Sequence, residues 1–267
     1  MSKDSQIIQL TLDEEAIKKM DNRLRNQVVG CMHAHNELVI LNRILMFSMN
    51  RTADGELHDS ANSVQMWCFL QVLAAKLFET WKMLNERFLK ANPEDPMIGH
   101  LKPEHKASLE WLKDYFGIEP NLKNNALKII RDKTAFHYDK LNLEQAANSI
   151  AQGENTIYLA QHPANGLYYM GSALVFRSAF AMVADATRDT AGRSYDERTV
   201  DGFRIAVEDN KNANWHMHLV LYGLIEALFD KTLPQPLNTL EQVRINIQNA
   251  PDPEVVGLPT FIDIGNN

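Results

Sequence analysis

The sequence predicts a mainly α-helical protein: a helical bundle built on a long antiparallel helix pair, with a small β-hairpin insertion and an extended C-terminal tail. Three observations carry this prediction. Apolar residues recur every three or four positions over residues 13–49 and 67–88, which is the period of an amphipathic helix. β-Branched and aromatic residues flank an Asn-Gly pair at 165–166, a hairpin turn signal. Prolines gather beyond residue 232, which favours extended chain.

Composition and charge limit the classes of protein to which this chain can belong. The chain has 267 residues, of which 45% are hydrophobic and 23% charged, and its formal net charge is −7. A chain of this length and composition is globular and can bury one substantial core. The negative charge disfavours a protein whose whole surface coats nucleic acid, because such proteins carry a broad excess of Lys and Arg. A local basic cleft remains compatible with it.

The first two helices are expected to pack against each other. The first extends over residues 13–49, and an Asp54-Gly55 turn separates it from the second. The second helix carries a heptad-like seam formed by Trp67, Leu70, Ala74, Leu77, Trp81, Leu84 and Phe88. Because a short turn joins two amphipathic helices, their apolar faces should meet in an antiparallel pair.

Shorter helices are predicted after this pair. Pro103 suits the first turn of a helix that ends at Gly117. A further helix is expected from Leu122 onward, and its apolar side should hold it against the pair. Asn142 and Gln145 resemble a capping box, which marks the start of another short helix.

The second half of the chain changes character and then returns to helix. A hairpin is predicted near residues 156–170. It is expected to pack against the helices, because an isolated hairpin is unstable. The helical period resumes over residues 172–187 and 197–230. We therefore divide the chain into a helical domain over residues 1–231 and a proline-rich extended tail over residues 232–267.

The lack of a signal-peptide pattern and the cysteine usage favour a cytoplasmic protein without membrane association. Cys31 and Cys68 lie in apolar helical patterns without CxxC spacing, which indicates buried free thiols in a reducing compartment. The N-terminal residues 1–12 lack the pattern of a signal peptide, and no run of eighteen apolar residues occurs.

Neither a metal nor a cofactor is expected. His33 and His35, like His216 and His218, lie two residues apart, so on a helix their side chains point about 200° apart and cannot share one ion from one face. No Glu is followed by a His three residues later, as a di-iron bundle requires. The sequence also lacks a Walker-type loop, a GxSxG elbow and a dinucleotide fingerprint.

One segment combines a fixed cation with a titratable base. Residues 131–139 read Arg-Asp-Lys-Thr-Ala-Phe-His-Tyr-Asp. Arg131 offers a planar fork of donors suited to a phosphate, and His137 can exchange a proton near neutrality. Residues 123–140 hold five Lys or Arg against two Asp, a local charge of +3. The pattern predicts phosphodiester chemistry without a metal; a solvated helix face is the alternative interpretation.

This segment resembles the motif of the HEPN superfamily (higher eukaryotes and prokaryotes nucleotide-binding). That motif is an Arg, a polar residue directly after it, and a His after four to six intervening residues, in a domain of four or five helices. Residues 130–139 are similar to the Arg-Asn-Lys-x-x-Phe-His-Tyr-Asp form of uncharacterised bacterial and plasmid-borne HEPN-like proteins. Asp132 stands where that form has Asn, and its charge partly neutralises Arg131.

The resemblance implies a metal-independent endoribonuclease. His137 would act as general base or acid while a ribose 2′-hydroxyl attacks the adjacent phosphate, leaving a cyclic phosphate and a free 5′-hydroxyl. Arg131 would stabilise the charge that builds on the phosphorane oxygens, and Asp132 would orient one of the two. In an undistorted helix, positions six apart differ by about 240°, so joint action needs a bend or a helix end.

The remaining expectations concern partners. Lys128, Lys133 and Tyr138 are the expected RNA contacts. The resemblance implies a homodimer whose paired motifs line one cleft, a protein partner such as an antitoxin, and a role in a defence or toxin-type system. The second hypothesis is a non-catalytic helical interaction or scaffold protein, in which the long helical seams and the aromatic-rich last helix form the partner surface.

Overall fold

The fold is mainly α-helical, as the sequence predicts. The computed structural model describes residues 5–50, 53–90, 95–135, 141–233, 240–247, 251–252 and 255–263. Within these ranges, helices surround one hydrophobic core and a single two-stranded sheet joins segments near the two ends of the chain.

The elements follow in a simple order. The helices are α1 (Glu14–Lys19), α2 (Asn22–Ser48), α3 (Glu56–Leu84), α4 (Pro103–Phe116), α5 (Ala126–Ile130), α6 (Leu143–Asn148), α7 (Tyr169–Thr187) and α8 (Tyr195–Thr232). π-Helical turns continue α3 over Asn85–Leu89 and α5 over Arg131–Ala135. Single 3-10 turns lie at Pro96–His100 and Pro163–Asn165. Strands β1 (Ser5–Leu10) and β2 (Gln242–Ile247) pair antiparallel.

The first predicted helix is in fact two helices, α1 and α2. The backbone is extended at Met20 and Asp21, and the Asp21 carboxylate accepts hydrogen bonds from the backbone N–H groups of Arg23 and Leu24. An Asp that satisfies the free N–H groups of a new helix favours a start at that point over continuation. The expectation of one helix over residues 13–49 is therefore wrong at this junction.

The antiparallel helix pair is confirmed. Glu37, in the middle of α2, forms an ion pair with Lys76 of α3. Gln27, near the start of α2, donates a hydrogen bond of 3.1 Å to the carbonyl of Arg87, which lies beyond the end of α3. Because early residues of α2 meet late residues of α3, the two helices run in opposite directions. The predicted α3 seam from Leu70 onward is buried.

Helix α8 is the longest helix in the described ranges. It has 38 residues, which corresponds to about 57 Å, and it packs on α2, α4 and α7. Gly202 allows the close approach of α7, because a Cβ at this position would lie 1.8 Å from the carbonyl oxygen of Phe180. On the α4 side, the Tyr115 hydroxyl donates to Asp209 at 2.6 Å. Neither α8 nor any other helix in the described ranges is long and apolar enough to cross a membrane.

The predicted hairpin is present as one bridge. Tyr158 and Leu167 exchange two backbone hydrogen bonds of 2.7 and 2.8 Å. A 3-10 turn over Pro163–Asn165 connects them, so the chain makes a wider turn than a two-residue Asn-Gly loop.

The described part of the predicted tail packs on the bundle. Strand β2 belongs to this segment and pairs with β1, which the sequence did not predict. Further on, the Leu258 N–H donates to the carbonyl of Phe47 at 3.3 Å, and the Gln65 side chain donates to the carbonyl of Pro259 at 2.8 Å. The segment is extended, and its described contacts tie it to both α2 and α3.

Candidate functional site around Arg131

Four of the six predicted site residues lie in the described part of the chain: Lys128 at the middle of α5, and Arg131, Asp132 and Lys133 on the π-helical turn. The other two, His137 and Tyr138, lie outside the described residues. The structure therefore shows how Arg131 is held.

Side-chain hydrogen bonds mark the start of α5 and its π-helical continuation. The Asn125 side chain caps α5 by accepting a hydrogen bond of 2.9 Å from the Lys128 N–H. Thr134 is fully buried, and its hydroxyl donates to the carbonyl of Ile130 at 2.7 Å. Ser63 of α3 and Thr199 of α8 make the same bond to a carbonyl four residues earlier inside regular α-helices, so this bond accompanies the π-helical turn without explaining it. The turn over Arg131–Ala135 is π-helical, so the angular spacing of an ideal α-helix does not apply to these five residues.

Two carboxylates orient the guanidinium of Arg131. Its Nη1 donates to Asp132 Oδ1 at 2.7 Å, and its Nη2 donates to Glu79 Oε1 on α3. The guanidinium carbon also lies 5.1 Å from the centre of the Phe78 ring, within cation–π range. The side chain is 24% exposed. Arg131 thus joins the π-helical turn to α3 while part of it still reaches solvent.

Two lysines extend this contact into a network. Lys128 Nζ lies 3.1 Å from Asp132 Oδ2, and Lys82 Nζ lies 3.5 Å from Glu79 Oε2. The charges alternate along the chain of contacts, with three cations and two anions. We call these five residues the Arg131 network. Both described carboxylates, Glu79 and Asp132, also contact a lysine, so these five residues together carry one positive charge in excess.

The carboxyl group of Asp132 is ionised in this setting. Partial burial raises the pKa of Asp132. Hydrogen bonds and charge attraction from Lys128 and Arg131 lower it by more than burial raises it, so the pKa lies below its ordinary value. Asp132 therefore carries a negative charge at neutral pH. It orients Arg131 and at the same time offsets part of its charge.

Glu79, Lys82 and Phe78 were missed by the sequence reasoning. All three lie on α3, about fifty residues before Arg131, and the Glu79 contact spans 52 positions. Glu79 and Lys82 form part of a charged pattern that also fits a solvated helix face, and Phe78 belongs to the hydrophobic core. A contact of this range depends on how α3 and α5 pack, which the local pattern does not encode.

The histidine pairs on α2 and α8 contact different neighbours. His33 lies 3.3 Å from Glu37, whereas the His35 ring lies 4.8 Å from the His218 ring on α8. Burial, together with the neighbouring His35, lowers the pKa of His218 to about 4. Within the described ranges, no three His, Cys, Asp or Glu side chains gather as metal ligands would.

Comparison with protein-family models, with curated protein sequences and with solved structures finds no match for this chain. The HEPN resemblance therefore remains a prediction from the motif at residues 130–139 and its position in a helical bundle.

Proposed function

We propose that this protein is a HEPN-like RNA-binding protein and a metal-independent endoribonuclease that acts through Arg131 and His137. The observation that carries the proposal is the orientation of Arg131 from two sides by Glu79 and Asp132. A donor that is already held in place stabilises developing charge without a cost of reorganisation during the reaction. The π-helical turn adds support, because such turns are frequent at functional sites.

The proposed reaction is an internal transfer at phosphorus. His137 removes the proton of a ribose 2′-hydroxyl, the 2′-oxygen attacks the adjacent phosphorus, and the bond from phosphorus to the 5′-oxygen breaks. The proton held by His137 passes to the leaving 5′-oxygen, directly or through water, so the products are a 2′,3′-cyclic phosphate and a free 5′-hydroxyl. Arg131 donates to the non-bridging oxygens, which carry the growing negative charge.

RNA binding is proposed to be local. Lys128, Lys133 and Tyr138 contact the backbone or a base next to the cleaved bond. Adding Lys133 to the Arg131 network gives four cations against two anions. A site with so small an excess of positive charge neutralises few phosphates, so binding should depend only moderately on salt.

The proposal also covers the assembly and its location. A homodimer would bring two copies of the motif to one cleft, and a protein partner such as an antitoxin would regulate it in a defence or toxin-type system. We propose a cytoplasmic location, which agrees with Cys31 and Cys68 being free thiols. Cys31 is buried as expected, whereas Cys68 is exposed, so the expectation of two buried thiols is wrong for Cys68.

A cleavage assay with labelled RNA in EDTA tests the proposal. Wild-type protein should cleave, whereas Arg131→Ala and His137→Ala should not, with folding checked by circular dichroism. Arg204→Ala is the matched control, because Arg204 is an exposed arginine on α8 outside the Arg131 network. Cleavage that survives His137→Ala, or that needs a divalent ion, would overturn the mechanism.

A second function is supported by a different observation. Trp215 and Tyr222 lie seven residues apart on α8 and share a face, yet they are 64% and 58% exposed. Exposed aromatic side chains on one face are typical of protein–protein interfaces. In this alternative the protein is a non-catalytic interaction or scaffold module. It predicts no RNA binding at low salt, and stoichiometric self-association or partner binding that Trp215→Ala weakens.

A further inference from the structure

A second site lies away from Arg131, in a cavity between α2, α3 and α8. The cavity has a volume of about 550 Å³, and no member of the Arg131 network lines it. Volumes of roughly 300–1,000 Å³ are typical of small-molecule sites. The cavity is therefore large enough for a one- or two-ring organic molecule.

The floor of the cavity is apolar. Leu45 of α2 and Leu70 and Leu73 of α3 line it, and each is 5% exposed or less. Surfaces of this kind hold water poorly and favour an apolar ligand. Met46 and Trp215 also line the cavity and are largely exposed, so they lie toward its mouth. A ligand body packed against the leucines would be covered by these two flexible or aromatic side chains.

Two asparagines supply the polar part of the site. Asn210 and Asn214 line the cavity from α8, and four residues separate them, so they share one helical face. They are 2% and 6% exposed, and the side-chain oxygen of each has no hydrogen-bond partner in the described part of the chain. The amide nitrogen of Asn210 donates to the carbonyl of Ala206 at 2.9 Å, which fixes which end of that side chain is the acceptor.

Unpaired buried acceptors call for a donor. The great majority of buried polar groups in native proteins are hydrogen-bonded, because burying an acceptor without a partner is unfavourable. A charged donor is unfavourable there, because the apolar floor would strip its water, and the exposed Lys211 at the cavity adds repulsion for a cation. The matching ligand therefore has an apolar body and a neutral N–H or O–H group.

We propose that this cavity is a binding site for a small, neutral, largely apolar molecule that carries an N–H or O–H donor. The donor binds the side-chain oxygens of Asn210 and Asn214, and the apolar body packs on Leu45, Leu70 and Leu73. The site is independent of the proposed RNA chemistry, because it shares no residue with the Arg131 network.

Indole is a suitable probe, because it is an apolar ring system with a single N–H donor. 1-Methylindole keeps the ring system and lacks the donor. Titrations of the full chain, followed through ¹³C-methyl signals of methionine, should show saturable binding of indole with shifts at Met46 and Met49. We expect 1-methylindole to bind about tenfold more weakly, the effect of one lost hydrogen bond in a site built around it.

Amino-acid substitutions test whether indole binds in this cavity or elsewhere on the protein. Asn214→Leu keeps a side chain of similar size and removes one acceptor, so it should reduce the preference for indole over 1-methylindole. Asn62→Leu is the control: Asn62 also has a side-chain oxygen without a described partner, but it does not line this cavity. Val207→Phe, which fills the cavity from α8, should abolish binding and covers the case in which Asn214→Leu does not fold.

Three results would overturn the proposal. Indole that shows no saturable binding would mean that water alone, or a side chain from another protein molecule, occupies the cavity. Equal affinity for indole and 1-methylindole would mean that the asparagine oxygens do not select the ligand. Binding that persists unchanged in Val207→Phe would place the ligand elsewhere.

Discussion

Two arginines in this protein are each held by two carboxylates, yet they stand in different settings. Arg177 of α7 donates through Nη1 to both oxygens of Glu154, at 3.1 and 2.9 Å. Through Nη2 it donates to the carbonyl of Ser149 at 2.9 Å and to Asp196. Its side chain is 11% exposed. These hydrogen bonds hold the α6–α7 connection and the first turn of α8 against α7. Arg177 therefore has a structural role.

Arg131 is oriented in a similar way but is more exposed to solvent. Its side chain is about twice as exposed, at 24%, and both of its carboxylates, Glu79 and Asp132, also contact lysines. Those lysines, Lys82 and Lys128, leave the network with an excess positive charge. Under the proposed function, the neighbouring lysines and the greater exposure let Arg131 bind a phosphate although two described carboxylates contact it. For phosphate binding, the relevant quantities are the summed charge of the residues around the arginine and the solvent exposure of its side chain.

The largest expected effect separates the two arginines by activity. Arg131→Ala should lower the rate of RNA cleavage by about 10²- to 10³-fold, the usual loss for one preorganised donor at a transition state. Arg177→Ala should leave the rate per folded molecule unchanged. Single-turnover cleavage in EDTA, at a temperature where both variants are folded, measures this. Equal losses in the two variants would remove the distinction between them.

Stability should show the reverse order. Arg177→Ala is expected to lower the free energy of unfolding by about 2–3 kcal/mol, because it leaves Glu154 without a charged hydrogen-bond donor that reaches both its oxygens. Arg131→Ala should cost about 1 kcal/mol or less, since Glu79 keeps Lys82 and Asp132 keeps Lys128. Urea denaturation measures both. A larger loss in Arg131→Ala would identify Arg131 as the structural arginine.

The charge of Asp132 gives a smaller, pH-dependent effect. Its pKa is lowered in the folded state, so its stabilising contribution is present above the unfolded pKa and is lost as pH falls through the folded pKa. Asp132→Asn should therefore be less stable than wild type by about 0.5–1 kcal/mol at neutral pH, and this difference should shrink as pH falls through the folded pKa of Asp132. Urea titrations at several pH values test it. A difference that grows on acidification would contradict the assigned charge.

The smallest expected effect concerns Lys133. If this lysine contacts one phosphate of single-stranded RNA, Lys133→Ala should reduce the slope of log affinity against log salt by about 0.7. Fluorescence anisotropy with labelled RNA at several salt concentrations gives the slope. Lys106→Ala on α4 is the control and should leave it unchanged. An unchanged slope in Lys133→Ala would remove this residue from the RNA contacts.

The helices could be predicted from the sequence because each carries its own apolar period, as the buried seam of α3 shows. The two-stranded sheet could not be found as readily, since β1 and β2 come from opposite ends of the chain. Val243, Ile245 and Ile247 do alternate with polar residues, which is a strand signal, but the surrounding prolines favoured an extended tail. Pairing between distant segments is not encoded in either segment alone.

The candidate site shows the same division. Arg131 and Asp132 are neighbours in sequence, and their contact was predictable from charge and proximity. Glu79 and the ring of Phe78 reach Arg131 through the packing of α3 against α5 and the π-helical turn. The buried Thr134 hydroxyl donates to the carbonyl of Ile130 within that turn, a contact that residue spacing does not reveal.

The most direct test of the central claim is a double-mutant cycle on RNA cleavage with Arg131→Ala and His137→Ala. If both residues act on one transition state, either single change should remove most of the activity, and the double variant should lose little more than the worse single variant. Products of the wild-type reaction should end in a 2′,3′-cyclic phosphate and a 5′-hydroxyl. Losses that multiply in the double variant, or cleavage that continues without either side chain, would contradict the account.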